Sequence, residues 1–305
     1  MLPADASAPC GPYTPNVSDL PPAVIEWVVG SVERGVRVQH VRVFPRASSS
    51  AVHGVDVERS DGRVERVVLR RYVYPEVLAS EPAPVQRETL VLAALETTDV
   101  PAPRVIATDP DGAACGVPAL LMTRLPGHSR WRPRSLDGFV DALAAEVPRI
   151  HATPLPTGDD FPAYHCYHAG NEPSPPEWSR HPEAWVAAIE AHRAGPPPFE
   201  PTFIHRDYHS GNVVWRGSTI TGIVDWAWAC RGPALVDVAH CRLNLVLAHG
   251  AEVADAYLDR WRELSGVRDY NRVWDLIDAV DALPDLDDSA TAFRRLDDWV
   301  TRATR

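Results

Sequence analysis

Apolar and polar positions alternate in three early runs, Val38-Gln39-His40-Val41-Arg42-Val43, Ala51-Val52-His53-Gly54-Val55-Asp56-Val57 and Val64-Glu65-Arg66-Val67-Val68-Leu69, and alternation over such lengths predicts half-buried strands. Their close succession predicts antiparallel pairing. Residues 18–33 predict an opening helix, with Ser18 or Asp19 as cap and prolines in its first turn. Residues 85–92 are helix-like, and the apolar run 117–122, Val-Pro-Ala-Leu-Leu-Met, predicts a buried strand. From about residue 128 the period changes to three and four. Leu136, Phe139, Val140, Leu143, Val147 and Ile150 trace one face of a helix ending at His151, which reads as structural. Trp185-Val186-Ile189, Val253-Tyr257-Trp261-Leu264 and Trp274-Ile277-Val280 predict later helices whose aromatics belong to a core. Proline-rich stretches at 154–162, 173–176 and 196–201 are loops that delimit helices. No internal repeat is present, and strands followed by helices predict an α+β chain.

One segment departs from simple patterning. Phe203-Ile204-His205-Arg206-Asp207-Tyr208-His209-Ser210-Gly211-Asn212 follows the arrangement H-R-D-x-x-x-x-N, in which the Asp takes the proton of an attacking hydroxyl and the Asn, five positions on, helps hold magnesium. Val213-Val214-Trp215 and Ile220-Thr221-Gly222-Ile223-Val224 predict a hairpin turned by residues 216–219, which would return Asp225 beside Asp207 and Asn212. Magnesium takes oxygen ligands, commonly one or two protein side chains plus nucleotide phosphates, and Asn212 and Asp225 are the candidates.

Residues 200–243 resemble the aminoglycoside phosphotransferase family, whose members share the protein-kinase fold. That family carries H-G-D-x-x-x-x-N followed by D-W or D-x-x; here Arg206 stands at the glycine and Asp225-Trp226 at the second site. Residues 234–240 read as helix soon after Asp225, which leaves no room for the long activation segment of protein kinases. With no activation-loop phosphate to bind, Arg206 is expected to pair with a carboxylate such as Asp237. The resemblance implies a bilobal fold with a nucleotide-binding N-lobe at 1–124 and a catalytic, substrate-binding C-lobe at 125–305. It implies that Asp207 is the catalytic residue, that ATP or GTP is the co-substrate with Mg2+, and that the acceptor is a hydroxyl of a small molecule, with aminoglycoside-like antibiotics among the candidates.

It also implies a phosphate loop at Pro45-Arg46-Ala47-Ser48-Ser49-Ser50, where serines replace the usual glycines and backbone N–H groups would form an anion nest; an ordinary Ser-rich turn is the equal alternative. The phosphate-pairing position falls on Arg70, with Arg71 as fallback and Glu88 as ion-pair partner; arginine grips phosphate oxygens bidentately. Met122, Thr123 and Leu125 lie in the segment that resembles the interlobe hinge against which adenine lies.

Composition sharpens this. None of the 30 basic residues is a lysine, so any cationic phosphate ligand must be arginine or histidine. A formal charge of −11 argues against nucleic-acid or anionic-membrane surfaces and favours cationic or neutral substrates. Cys10, Cys115, Cys166, Cys230 and Cys241 are scattered without C-x-x-C spacing, which suggests neither zinc nor a disulfide framework. Without a signal-like start or an apolar run of about 18 residues, a cytoplasmic protein is expected. Asp275, Asp278, Asp281, Asp285, Asp287 and Asp288 form an acidic run read as a solvated face rather than an amine-binding surface. Two rival readings remain: a zinc site from His205, Asp207 and His209, which lacks a fourth partner, and a non-catalytic nucleotide- or ligand-binding module.

Overall fold

Val55 and Val57 of the second early run and Val67 and Leu69 of the third bury together, with Val38 and Val41 of the first packed partly buried against them. The computed structural model describes residues 20–44, 49–81, 83–133, 135–156, 161–166, 172–286 and 289–305. Two compact units form, the first from residues up to 86 together with 104–124, the second from 87–103 together with 125–305.

In the first unit, helix α1 (Pro22–Ser31) leads into strands β1 (Gly35–Phe44), β2 (Ala51–Arg59) and β3 (Val64–Arg71). The strands pair antiparallel as expected, with registers Val41 to Val55 and Val55 to Val67. Helix α1 starts at Pro22 behind Pro21; the expected caps Ser18 and Asp19 lie outside the described residues. Helices α2 (Pro75–Ser80) and α3 (Pro84–Leu95) follow, α3 falling mostly in the second unit, and then strands β4 (Val105–Asp109) and β5 (Ala119–Thr123). The sheet order is β1-β2-β3-β5-β4. The apolar segment expected as a buried strand forms β5, an interior strand between β3 and β4, paired to β3 with Leu69 opposite Leu121. Val55, Val57, Val67, Leu69 and Leu121 pack with Val24 and Val28 of α1. Full burial of each such side chain contributes about 1.5–3 kcal/mol.

The second unit is mainly helical. Its elements are β6 (His128–Ser129), α4 (Phe139–His151), α5 (Pro182–Ala194), β7 (Pro201–Ile204), β8 (Val213–Arg216), β9 (Thr219–Ile223), β10 (Cys230–Pro233), α6 (Ala234–His249), α7 (Ala251–Ser265), α8 (Val273–Asp281) and α9 (Ala290–Ala303). Helix α4 begins three residues after Leu136, because Gly138 adopts a left-handed φ of 67° at its start. Trp185, Trp261 and Trp274 are buried as their spacing predicted, whereas Leu264 lies exposed at the end of α7. Two small sheets, β7 with β10 and β6-β8-β9, frame the loop after β7. Among the described residues no helix is long and apolar enough to cross a membrane. Cys115, Cys166, Cys230 and Cys241 are free and buried.

The acidic run requires a correction. Asp275, Asp278 and Asp281, three residues apart on α8, are buried rather than solvated. Each finds a basic partner: Asp275 the guanidinium of Arg242 at 3.1 Å, Asp278 the imidazole of His240 at 3.1 Å, and Asp281 both His192 at 3.0 Å and Arg206 at 3.7 Å. Asp287 and Asp288 lie outside the described residues.

Candidate active site

Strand β7 delivers the loop His205–Asn212, and its backbone is fixed by a single acid. Asp237, fully buried in the first turn of α6, accepts the N–H of His205 at 2.9 Å and of Arg206 at 2.7 Å. His151, at the end of α4, binds the same carboxylate at 3.0 Å, which is the structural role expected of it. Burial works against the charge on Asp237, but His151, His205 and these N–H bonds hold its carboxyl below the usual range. The expected pairing of Arg206 with Asp237 thus runs through the backbone. The guanidinium instead donates to the His165 carbonyl at 2.7 Å, stacks on Tyr164 and faces Asp281.

Arg206 occupies the left-handed region at φ 74°, where glycine would be unstrained, and Asp225 does so at φ 68°. They are two of three such non-glycine residues among the described residues. Strain of this kind persists only where surrounding bonds over-determine it, and it gathers at functional sites.

Asp207 follows directly. Asn212, five residues on, donates its amide nitrogen to the Asp207 carboxylate at 2.8 Å and to its carbonyl at 2.9 Å. With the nitrogen so engaged, the amide oxygen is the atom left to ligate a cation. The predicted hairpin forms between β8 and β9, Val213 opposite Ile223, turned through Gly217 at φ 65°. Val224 donates to the Asn212 carbonyl at 2.9 Å, and His205 Nε2 lies 3.0 Å from the Val224 carbonyl. These bonds bring Asp225 back beside the first loop. Trp226 is buried next to it, its indole N–H on the Ile223 carbonyl at 2.8 Å and its ring tilted against His205. A carboxylate and an amide oxygen are the hard donors that magnesium takes.

Two histidines without a catalytic task in the sequence reading complete the surroundings of Asp207. His240 Nε2 lies 3.0 Å from Asp207 Oδ1, and His209 Nε2 lies 3.5 Å from the same oxygen. Burial alone would raise the Asp207 carboxyl; His209 and His240 hold it well below the usual range. Asp207, His209 and His240 also have the spacing of a metal-ligand group. The hydrogen bonds disfavour that use. His209 Nδ1 accepts the Gly211 N–H at 2.9 Å, so in the neutral ring the proton sits on Nε2, the atom a metal would need bare. His205, the remaining residue of the rival zinc array, turns its ring to the Val224 carbonyl and the Asp207 N–H instead.

The predicted nucleotide residues distribute between the units. In the first, Arg70 is buried on β3, whereas the neighbouring Arg71 donates to the Cys115 carbonyl at 3.2 Å. Ser50 is buried, its hydroxyl without a hydrogen-bond partner among the described residues; Ser49 is half-buried and Ser48 lies outside them. Met122 is buried at the end of β5, and Thr123 is committed to Arg104 through both its N–H and its hydroxyl, each at 2.9 Å. In the second unit, Glu88 is buried on α3, and Leu125 packs against Gly222 of β9 so closely that a Cβ there would fall 2.3 Å from its Cδ1.

Residues 49–276 match the profile of the phosphotransferase enzyme family known as APH. The chain belongs to that family. No curated protein matches it. Among solved structures, the aminoglycoside phosphotransferase APH(4)-Ia superposes with a TM-score of 0.63 at 19% identity, covering 92% of this chain and 98% of that one. The macrolide 2'-phosphotransferase MphH from Brachybacterium faecium gives 0.56 at 16% identity, over 86% and 90% of the two chains. The amicoumacin kinase hAmiN, solved with AMP-PNP, Ca2+ and Ami, gives 0.58 at 13% identity, over 87% of each. Such likenesses show the fold: this phosphotransferase has the α+β, protein-kinase-like architecture that its sequence predicted.

Asp237 as the clamp of the loop and His240 beside Asp207 were not read as such from the sequence. Both lie on the helix after the second acid, three residues apart and therefore on one face. Nothing in the local pattern marks what that face meets.

Proposed function

We propose that this phosphotransferase moves the terminal phosphoryl group of ATP or GTP to a hydroxyl of a small molecule, with Mg2+ as the metal. The observation that carries the reading is the Asp207 carboxylate, gripped by Asn212 on one oxygen and His240 on the other, beside the hairpin that returns Asp225. Phosphoryl transfer through a loose transition state asks the protein mainly for alignment and charge compensation.

In this reading Asp207, ionised at neutral pH, orients the acceptor hydroxyl and takes its proton as the bond to phosphorus forms. The amide oxygen of Asn212 and the carboxylate of Asp225 would hold magnesium, which neutralises phosphate charge when bound. Arg70 draws the non-transferred phosphates into line, with Arg71 as the fallback. Glu88 fixes Arg70, the N–H groups around Ser49 and Ser50 cradle phosphate, and Met122, Thr123 and Leu125 border the base. Hygromycin B, macrolides and amicoumacin, named with the similar structures, frame the acceptor class as polyfunctional, hydroxyl-bearing compounds. The acidic net charge favours cationic members of that class.

The test is nucleotide consumption with ATP and GTP in parallel, magnesium present, across aminoglycosides, macrolides and amino alcohols. Acceptor-dependent turnover is expected, with Asp207→Ala lowering kcat by about 10²–10⁴-fold while nucleotide binding survives. Asp225→Ala should weaken binding of the magnesium nucleotide itself. Arginine in place of lysine and a serine-rich turn in place of glycines favour a second reading, a binding-only module; nucleotide binding with no turnover on any acceptor would support it.

A further inference from the structure

We infer that His240 is a positioning residue for Asp207: its imidazole, wedged between Asp207 and Asp278, fixes the carboxylate that receives the acceptor's proton. The inference rests on the reading of Asp207 as the proton acceptor. Nε2 of His240 lies 3.0 Å from Asp207 Oδ1 and Nδ1 lies 3.1 Å from Asp278 Oδ1. Ionised carboxylates only accept hydrogen bonds, so both contacts are satisfied together only when both ring nitrogens carry a hydrogen. Burial disfavours that cation, yet the two acids outweigh it and push the imidazole up to about 10.

The consequence for Asp207 is geometric. His240 holds Oδ1 and Asn212 holds Oδ2, which removes rotation about the carboxylate. An ionised carboxylate has about four lone-pair sites, so the clamp leaves capacity for the incoming proton. Asp278 is buried on α8 and aims the ring, while its Oδ2 meets no other group among the described residues. His240 lies one turn beyond Asp237 on α6, and Asp237 holds the backbone N–H groups of His205 and Arg206. One face of α6 thus fixes both the loop and the carboxylate it presents. A cation at this point also offsets repulsion between Asp207 and the phosphates of a bound nucleotide. His209, whose Nδ1 is taken by the Gly211 N–H, has no second ring nitrogen to serve another acid.

The experiment has two arms on the full chain. The first needs no acceptor: nitrogen-15 NMR of the histidine rings at pH 8, with His240→Gln to assign the signal. One histidine with both ring nitrogens protonated, absent from His240→Gln, is expected; a neutral His240 ring would overturn the inference. The second measures phosphoryl transfer to the most active acceptor of the panel. His240→Gln is expected to lower kcat by about 10–100-fold, the usual effect of losing an orienting partner, with both KM values within about threefold and unfolding temperature little changed. Added imidazole should restore part of the turnover of His240→Ala, which a loss of packing alone would not allow. An unchanged kcat in His240→Gln would overturn the inference and leave Asp207 in its role. Full activity of Asp207→Ala would instead remove the reading on which the inference stands.

Discussion

The loop His205–Asn212 and helix α8 both carry functional polar side chains at fixed short intervals, Asp207 and Asn212 in the one and three aspartates in the other, but they encode their roles differently. In the loop, the five-residue separation of Asp207 and Asn212 is itself the geometry, because the intervening turn folds the amide back onto the carboxylate at 2.8 Å. In α8, the three-residue separation of Asp275, Asp278 and Asp281 says only that they share a side of a helix. That their side is dry depends on Arg242 and His240, 33 and 38 residues earlier, and on Arg206 in the loop itself. A contiguous pattern reveals chemistry that is local. A buried charge is legible only together with the cation that compensates it.

The sharpest way to break the comparison is Asp275→Ala. Its carboxylate receives Arg242 through two nitrogens, at 3.1 and 3.2 Å, and the Tyr270 hydroxyl at 2.5 Å. Both side chains of the ion pair are fully buried. Removing the acid leaves a guanidinium with the Ala254 carbonyl and Asp255 as remaining partners, and breaking such a pair costs about 3–5 kcal/mol. The thermal midpoint should drop by about 10 °C, at about 2–4 °C per kcal/mol for a unit of this size. Differential scanning calorimetry reads it directly. A drop below 2 °C would return α8 to the solvated acidic face that its composition suggested.

The strands were legible because period-two alternation is a property of the strand alone, and Val55 pairs with Val67 inside a sheet that the sequence already outlined. The hairpin was legible for the same reason: its turn and both arms lie within 213–224. Burial of Asp237 was not, since the same residue on an exposed first turn would simply complement the helix dipole. The segment 117–122 was legible as a strand, but the hydrogen bonds of Thr123 at its end were not. Thr123 spends its N–H on Arg104, a residue 19 positions earlier, so strand character did not reveal which backbone groups stay available.

A middle-sized effect should come from Arg206→Gly, which joins the two regions. Glycine would relieve the left-handed backbone at φ 74°, about 1–2 kcal/mol for a residue with a Cβ. It would also remove the guanidinium from the His165 carbonyl, from the face of Tyr164 and from Asp281. Stripping a partner from a buried acid costs about 3–5 kcal/mol, and His192, still 3.0 Å from Asp281, keeps the loss at the low end. The net expectation is destabilisation of about 1–2 kcal/mol, measured as an earlier urea midpoint at unchanged slope. A variant more stable than the parent would mean that backbone strain outweighs the tie between loop and helix.

The smallest effect is expected from Gly217→Ala, in the turn of the hairpin that returns Asp225. A Cβ at this position meets no atom within 4 Å, so crowding contributes nothing. What remains is the left-handed φ of 65°, which costs a non-glycine residue about 1–2 kcal/mol. Part of this is offset because alanine lowers the entropy of the unfolded chain, by about 0.4–1 kcal/mol. The difference, on the order of 0.5–1 kcal/mol, should appear as a shift of a few degrees in the thermal midpoint. Activity should be unchanged, because the register of Val213 opposite Ile223 and the Val224 bond to the Asn212 carbonyl lie closer to Asp225 than the turn does. Loss of turnover beyond what the stability change explains would show that the turn sets where Asp225 points, and that the catalytic segment depends on its far end as α8 depends on distant cations.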